Sequence, residues 1–187
     1  MMSTPAQLFA QSAAAFRRVL LGVRGDQLDD PTPCVPLTVS QLVEKVVGHT
    51  DWTRDALLGD QHPAEYPHID PADYFAEYDR ACAAMIDAFG SDGVMTRVVE
   101  LAAGLSFSGA DVATLAARNL FQYAWDLARA TGQPTAFAPE VASELLQLSR
   151  TRLVPQRGPD GFYGPEVAPP AGATPADELA GFLGRAG

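Results

Sequence analysis

Apolar positions recur at helical spacing in four long stretches, each bounded by residues that cap or break helices. Ser3-Thr4-Pro5 opens the first, in which Phe9, Phe16, Leu20 and Val23 share a face, and it is predicted to end around Gly22 to Gly25. Pro31, Pro33 and Pro36 break every register in the segment that follows. Thr38 with Gln41 three residues on forms a capping box, which predicts a second helix to about Leu58. A polar loop carrying His62, Pro63, Pro67 and His68 comes next, and its composition predicts a solvated segment. Asp70-Pro71 with Asp73 opens a third helix, which carries Phe75, Tyr78, Cys82, Met85, Ile86 and Phe89 and stops at Gly90. The β-branched run in 94–108 predicts a short strand or an extended crossover. Ser108 with Asp111 caps a long fourth helix to Thr131, with Gly132 at the C′ position. A fifth helix is expected over Pro139–Val154. Residues 156–173 read as a Gly/Pro-rich excursion with a short strand around Phe162, and Thr174-Pro175 with Asp177 starts a last short helix.

Four amphipathic helices with connections of mixed length predict an all-α fold, a four-helix bundle with short C-terminal additions. The third connection is too long for a tight hairpin, so one long crossover is expected. One domain over 1–187 is expected, with the bundle at about 4–132 and the excursion and C-terminal helices at 133–187.

Composition narrows the function classes. With 47% hydrophobic and 19% charged residues the chain reads as a globular protein, and its net charge of −10 speaks against nucleic acid or an anionic membrane as a partner. No stretch approaches the roughly 18 apolar residues of a membrane span. The N-terminal MMSTPAQLFAQSAAAFRRVLL has no basic region ahead of an apolar one, so no signal peptide and a cytoplasmic location are expected. Cys34 and Cys82 fit small hydrophobes in a reducing compartment. Twelve of the 13 basic residues are arginines, which leaves Lys45 as the lone lysine.

No phosphate-cradling glycine loop, HExxH, GxSxG or CxxC occurs in the sequence. Candidate chemistry therefore lies on two helix faces. On the second helix, Lys45, His49 and Trp52 stand at i, i+4 and i+7; on the fourth, Asn119, Tyr123 and Asp126 do the same, with Gln122 and Arg129 beside them. Val43, Val46, Val47, Leu115, Leu120 and Phe121 surround these stripes, so the polar groups must be satisfied within or at the edge of a core. Taken singly, His49 also reads as a satisfied core histidine, and Tyr123 and Trp125 as core aromatics. Asp126 is expected to pair locally, with Arg129 or a backbone donor. A lysine in a valine-rich helix, where every other basic residue is arginine, suggests a use for a compact ammonium.

PTPCVPLTVSQLVEKVVGH at 31–49, AWDLARATGQP at 124–134 and RGPDGFYGPEVAPPAGATPADELAGFLGR at 157–185 together resemble the actinobacterial DinB-like proteins related to mycothiol-dependent maleylpyruvate isomerases. The resemblance covers nearly the whole chain. It implies a DinB/YfiT-like four-helix bundle, often dimeric, with a divalent metal in the cleft. In the family a His of the second helix and an acid and a His of the fourth hold that metal, which activates a thiol or water towards a small electrophile. Aligned on those motifs, Lys45 stands at the first ligand, Asn119 at the carboxylate and Tyr123 at the second His, while Leu37 replaces a Trp. None of the three suits a divalent ion, and a protonated lysine repels one; His49, one turn further on, is the only shifted substitute.

The expectation is therefore a metal-independent DinB-like enzyme acting on a small organic molecule by isomerisation, cyclisation or addition. Tyr123 would be its acid/base, Lys45 the group that lowers the phenol's pKa or holds a substrate anion, and His49 a second proton carrier. Asn119, Trp52 and Gln122 would bind substrate, with Asn119 donating to a developing oxyanion. No cofactor is expected, neither metal nor obligatory mycothiol. The partner would be a small molecule, with a homodimer as the resemblance implies. The alternatives are a non-catalytic small-molecule binding protein, or a mycothiol-dependent transferase or isomerase with an altered metal site. An open, apolar-lined cavity between Lys45 and Tyr123 would favour an enzyme, and a filled core the binding protein.

Overall fold

The helices begin where the capping residues stand. In a computed structural model describing residues 2–60, 62–101, 106–152, 157 and 163–185, α1 spans Pro5–Leu20, with Thr4 and Gln7 closing a reciprocal capping box. Helix α2 spans Val39–Leu58 and opens on the same device, Thr38 with Gln41. Asp70 caps a single turn at 71–73, and α3 follows as Tyr74–Phe89. Helix α4 runs from Gly109 to Ala130 behind the Ser108 cap, α5 spans Pro139–Thr151, and α6 spans Pro175–Phe182 behind a Thr174/Asp177 box. Helix α1 stops at Leu20, short of the glycines. The predicted end of α5 at Val154 and the strand around Phe162 lie outside the described residues, though Arg157 and Tyr163 flank the latter with an isolated bridge. In the third connection the β-branched run pairs as two strands, β1 Val98–Glu100 and β2 Ser106–Ser108, antiparallel with Val99 opposite Phe107.

The fold is all-α, with the short β1–β2 ribbon as its sheet among the described residues. Helix α1 lies along α4, α2 packs on α3 and α4, and α3 also meets α1. Helices α3 and α4 are not packed face to face, so the third connection is the expected long crossover; the first connection also joins helices that are not neighbours. Phe9, Phe16, Leu42, Leu57, Met85 and Phe121 fill the interior, with Phe16 stacked on Tyr78 and Phe9 edge-on to Phe89. None of the described helices is long and apolar enough to cross a membrane.

Two segments outside the bundle set its edges. The 62–70 segment lies on α2: Trp52 Nε1 donates to the His62 carbonyl at 2.7 Å, and Glu44 accepts from the His68 ring at 2.7 Å and the Ile69 N–H at 3.1 Å. Gly48 permits the approach, because a β-carbon there would strike the Glu65 carbonyl. Helix α6 closes the other end, packed on α5 and α4. The fully buried Asp126 accepts a fork from Arg185 at 2.9 and 3.0 Å, and Trp125 Nε1 donates to Asp177 at 2.8 Å. Asp126 thus pairs with the last turn of the chain, not with Arg129, whose guanidinium lies 5.7 Å from the centre of the Trp125 ring.

Candidate functional site

Helical phase brings the two polar stripes together. Lys45 of α2 and Tyr123 of α4 meet with the ammonium 5.8 Å from the centre of the phenol ring. The same ammonium lies 5.9 Å from the ring of Tyr66, which the 62–70 segment places over it half exposed. Lys45 has no carboxylate within salt-bridge distance among the described residues; two tyrosine faces lie near its ammonium, and its charge also reaches the buried Asp126, which is paired with Arg185.

Beside the Tyr123 ring, His49, Thr50, Thr53, Asn119 and Tyr123 border a hollow otherwise walled by apolar side chains such as Met85. It holds about 10 Å³, the room of a single water. The His49 ring stacks on Trp52 with centroids 5.4 Å apart. Burial first, and the Lys45 charge second, lower its pKa to about 4, so His49 is neutral at pH 7. Thr50 and Thr53 turn their hydroxyls back onto α2 carbonyls at 2.7 Å and offer the hollow no donor.

The Tyr123 phenol departs from expectation. Lysine was expected to lower its pKa, but burial dominates and raises it above the ordinary range, leaving a protonated hydroxyl and a poor acid. That hydroxyl makes no hydrogen bond among the described residues. Asn119 is committed: its Oδ1 accepts from the Tyr163 hydroxyl at 3.0 Å, and Tyr163 in turn accepts from Arg118 Nη2 at 2.7 Å.

His49, Asn119 and Tyr123 therefore share the hollow, while Lys45 does not line it and meets the site at the Tyr123 ring. Trp52 and Gln122 stand off it. Trp52 spends its N–H on the 62–70 segment. Gln122 is buried, donates to Asp126 at 3.3 Å and leaves its own Oε1 without a partner among the described residues. Sequence reasoning missed Tyr66 and Tyr163, since both reach the site from segments without helical periodicity. An aromatic inside a Pro-rich loop was the available signal for Tyr66. Both cysteines are buried, and burial pushes both thiols up.

A metal needs a different set of donors. Among the described residues no three His, Cys, Asp or Glu side chains gather closely enough to hold an ion. Lys45, Asn119 and Tyr123 supply a cation, an amide already hydrogen-bonded and a protonated phenol.

No family model matches the chain. By fold it is similar to a solved structure of a mycothiol-dependent maleylpyruvate isomerase, with a TM-score of 0.57 and 15% identity over 78% of this chain and 72% of that one. A histidine-to-alanine mutant of that enzyme superposes with a TM-score of 0.56. In sequence, two proteins of Mycobacterium tuberculosis are each 36% identical over 183 residues, which is 97% of this chain and of theirs. They are Uncharacterized protein MT0763 of strain CDC 1551 / Oshkosh and Uncharacterized protein Rv0738 of strain ATCC 25618 / H37Rv. With that identity sustained from end to end, the chain belongs to the family of these two mycobacterial proteins.

Proposed function

We propose that this protein is a small-molecule-binding member of the DinB-like fold that holds an organic anion at the rim of its bundle, on Lys45, without a metal. One observation carries the reading. The chain's lone lysine, at the position where the resembling family keeps a metal ligand, has no carboxylate partner among the described residues and lies between the rings of Tyr66 and Tyr123. An ammonium without a direct ion-pair partner among the described residues is available to a ligand's carboxylate. The packed hollow supports a rim site over a deep one, since room for one water excludes an organic substrate. Tyr66, half exposed over the ammonium, is the side chain a ligand would displace.

The residues do not fit a divalent metal, so no step runs through one. Calorimetric titration with small organic acids tests the reading. Saturable binding is expected, weakened about tenfold or more by Lys45→Met, which keeps the stem and removes the charge. Wild-type affinity in Lys45→Met would overturn it. Elemental analysis after chelator-free purification is expected to find no stoichiometric zinc or nickel.

Catalysis is the rival outcome of the same experiments. Tyr123 would then be the acid/base, Lys45 and Asn119 its anion and oxyanion contacts, and His49, neutral at pH 7, the second proton carrier. A turnover that falls about 10²-fold in Tyr123→Phe while binding persists would replace the binding reading with an isomerase-like one. Mycothiol or another thiol would enter as a ligand in the same titration.

A further inference from the structure

A cavity roomier than the hollow behind Tyr123 lies away from the bundle rim, between the C-terminal half of α4 and the Val167–Pro170 segment that leads into α6. It holds about 140 Å³. A cavity of about 150 Å³ takes a benzene ring, so a six-membered ring is the size it suits. One wall is apolar, made by Val167, Pro169, Pro170 and the face of Trp125. The indole N–H is already spent on Asp177, so Trp125 presents its ring.

Arg129 stands over that ring. Its guanidinium is 5.7 Å from the ring centre, it is exposed, and no carboxylate lies within salt-bridge distance of it among the described residues. The indole face attracts the guanidinium at that distance, and its N–H groups make no hydrogen bond among the described residues, so they are available to a carboxylate, which a guanidinium receives through two parallel hydrogen bonds. The other charges in the cavity are engaged. Arg185 forks onto Asp126, and Asp177 accepts from Trp125 and from the Thr174 N–H and hydroxyl. The Asp177 charge in the lining disfavours a second negative charge on a ligand.

From this geometry we infer that the groove between α4 and Val167–Pro170 is a binding site for a small cyclic monocarboxylate, its ring against Trp125 and the prolines and its carboxylate on Arg129. This site is separate from the Lys45 rim and does not depend on it. A ring of this size contributes apolar burial, and the charge-assisted contact to Arg129 supplies the selectivity for an acid.

The chain's two tryptophans make the test local, because Trp125 lines the groove and Trp52 sits on α2 beside His49. In nitrogen-15 spectra each indole N–H gives its own peak, and Trp52→Phe tells them apart. Benzoate is expected to move the Trp125 peak saturably and leave the Trp52 peak in place. Benzamide, the same shape without the charge, is expected to bind about tenfold more weakly or worse, as is benzoate to Arg129→Gln. The backbone spectrum of Arg129→Gln reports whether the fold is retained, and since Arg129 is exposed and makes no hydrogen bond or ion pair among the described residues, retention is expected. A Trp125 peak that stays fixed overturns the inference, and if the Trp52 peak moves instead, the acid is bound at the rim. Equal shifts from benzoate and benzamide, or unchanged benzoate affinity in Arg129→Gln, overturn the role given to the carboxylate.

Discussion

Burial decides what each ionisable side chain of the cleft can do, and His49 is the case with a measurable consequence. Its pKa falls from the model-peptide value of 6.5 to about 4 on folding, because the half-buried ring is desolvated and Lys45 lies nearby. The folded state therefore binds fewer protons than the unfolded chain between those two values. The contribution of neutral His49 is fully present above pH 6.5 and is lost as pH falls through about 4, by about 3 kcal/mol at most. Urea titrations between pH 7 and pH 4 are expected to show a shallower loss in His49→Gln than in the wild type; parallel curves would mean that His49 keeps its solution pKa. At this scale the sequence was informative about phase and silent about partners. The spacing put Lys45, His49, Asn119 and Tyr123 on facing stripes, and they do meet. It also offered Arg129 as the partner of Asp126, being within one turn, whereas the carboxylate is taken by Arg185, 59 residues away. Helical spacing carries no information about a guanidinium delivered by another element, nor about how far burial outweighs a neighbouring charge at Tyr123.

Helix starts were legible because capping is a local hydrogen-bond requirement. Thr4, Thr38, Ser108 and Thr174 all accept from the N–H three residues on. What the connections do is set by tertiary contact, and there the sequence was mute. The 62–70 segment is solvated as expected, His68 included, but it also lies on α2 and delivers Tyr66 to Lys45, which its composition could not show. Gly48 is where that contact can be tested. In an exposed helix interior, replacing Gly by Ala stabilises by up to about 1 kcal/mol, since Ala loses less backbone freedom on folding. Here the new methyl would meet the Glu65 carbonyl with backbone behind it, and overpacking of that kind costs about 1–3 kcal/mol. Gly48→Ala is expected to lower the Tm in spite of its better helix propensity, and to shift the Trp52 indole as the His62 carbonyl moves away. A raised Tm with an unmoved Trp52 would show that the segment does not need the close approach.

At the scale of the whole molecule, the C-terminal helices belong to the bundle's core. Helix α6 and the residue that caps it place Leu179, Phe182 and Leu183 in the interior, all buried, and the helix is fixed to α4 by Asp177 on Trp125 and, just past its end, by Arg185 on Asp126. The two acceptors differ in what they leave behind. Without α6, Trp125 loses a hydrogen bond and exposes a ring, but Asp126 loses the guanidinium that balances a carboxylate with no exposure at all. Each of the three apolar side chains contributes roughly 1.5–3 kcal/mol through burial, against a total stability of about 5–15 kcal/mol for a domain of ordinary size. Their loss together with an unpaired buried charge consumes most of that margin. A chain ending at Gly164 is therefore expected to lose cooperative unfolding and near-ultraviolet dichroism from Trp125, while keeping much of its far-ultraviolet helix signal. Adding Asp126→Asn to the truncated chain removes the unpaired charge and is expected to recover part of the lost stability without restoring the cooperative transition. If the truncated chain melts cooperatively at the full-length temperature, the first 164 residues fold as a unit by themselves, and the reading of 1–187 as one domain fails.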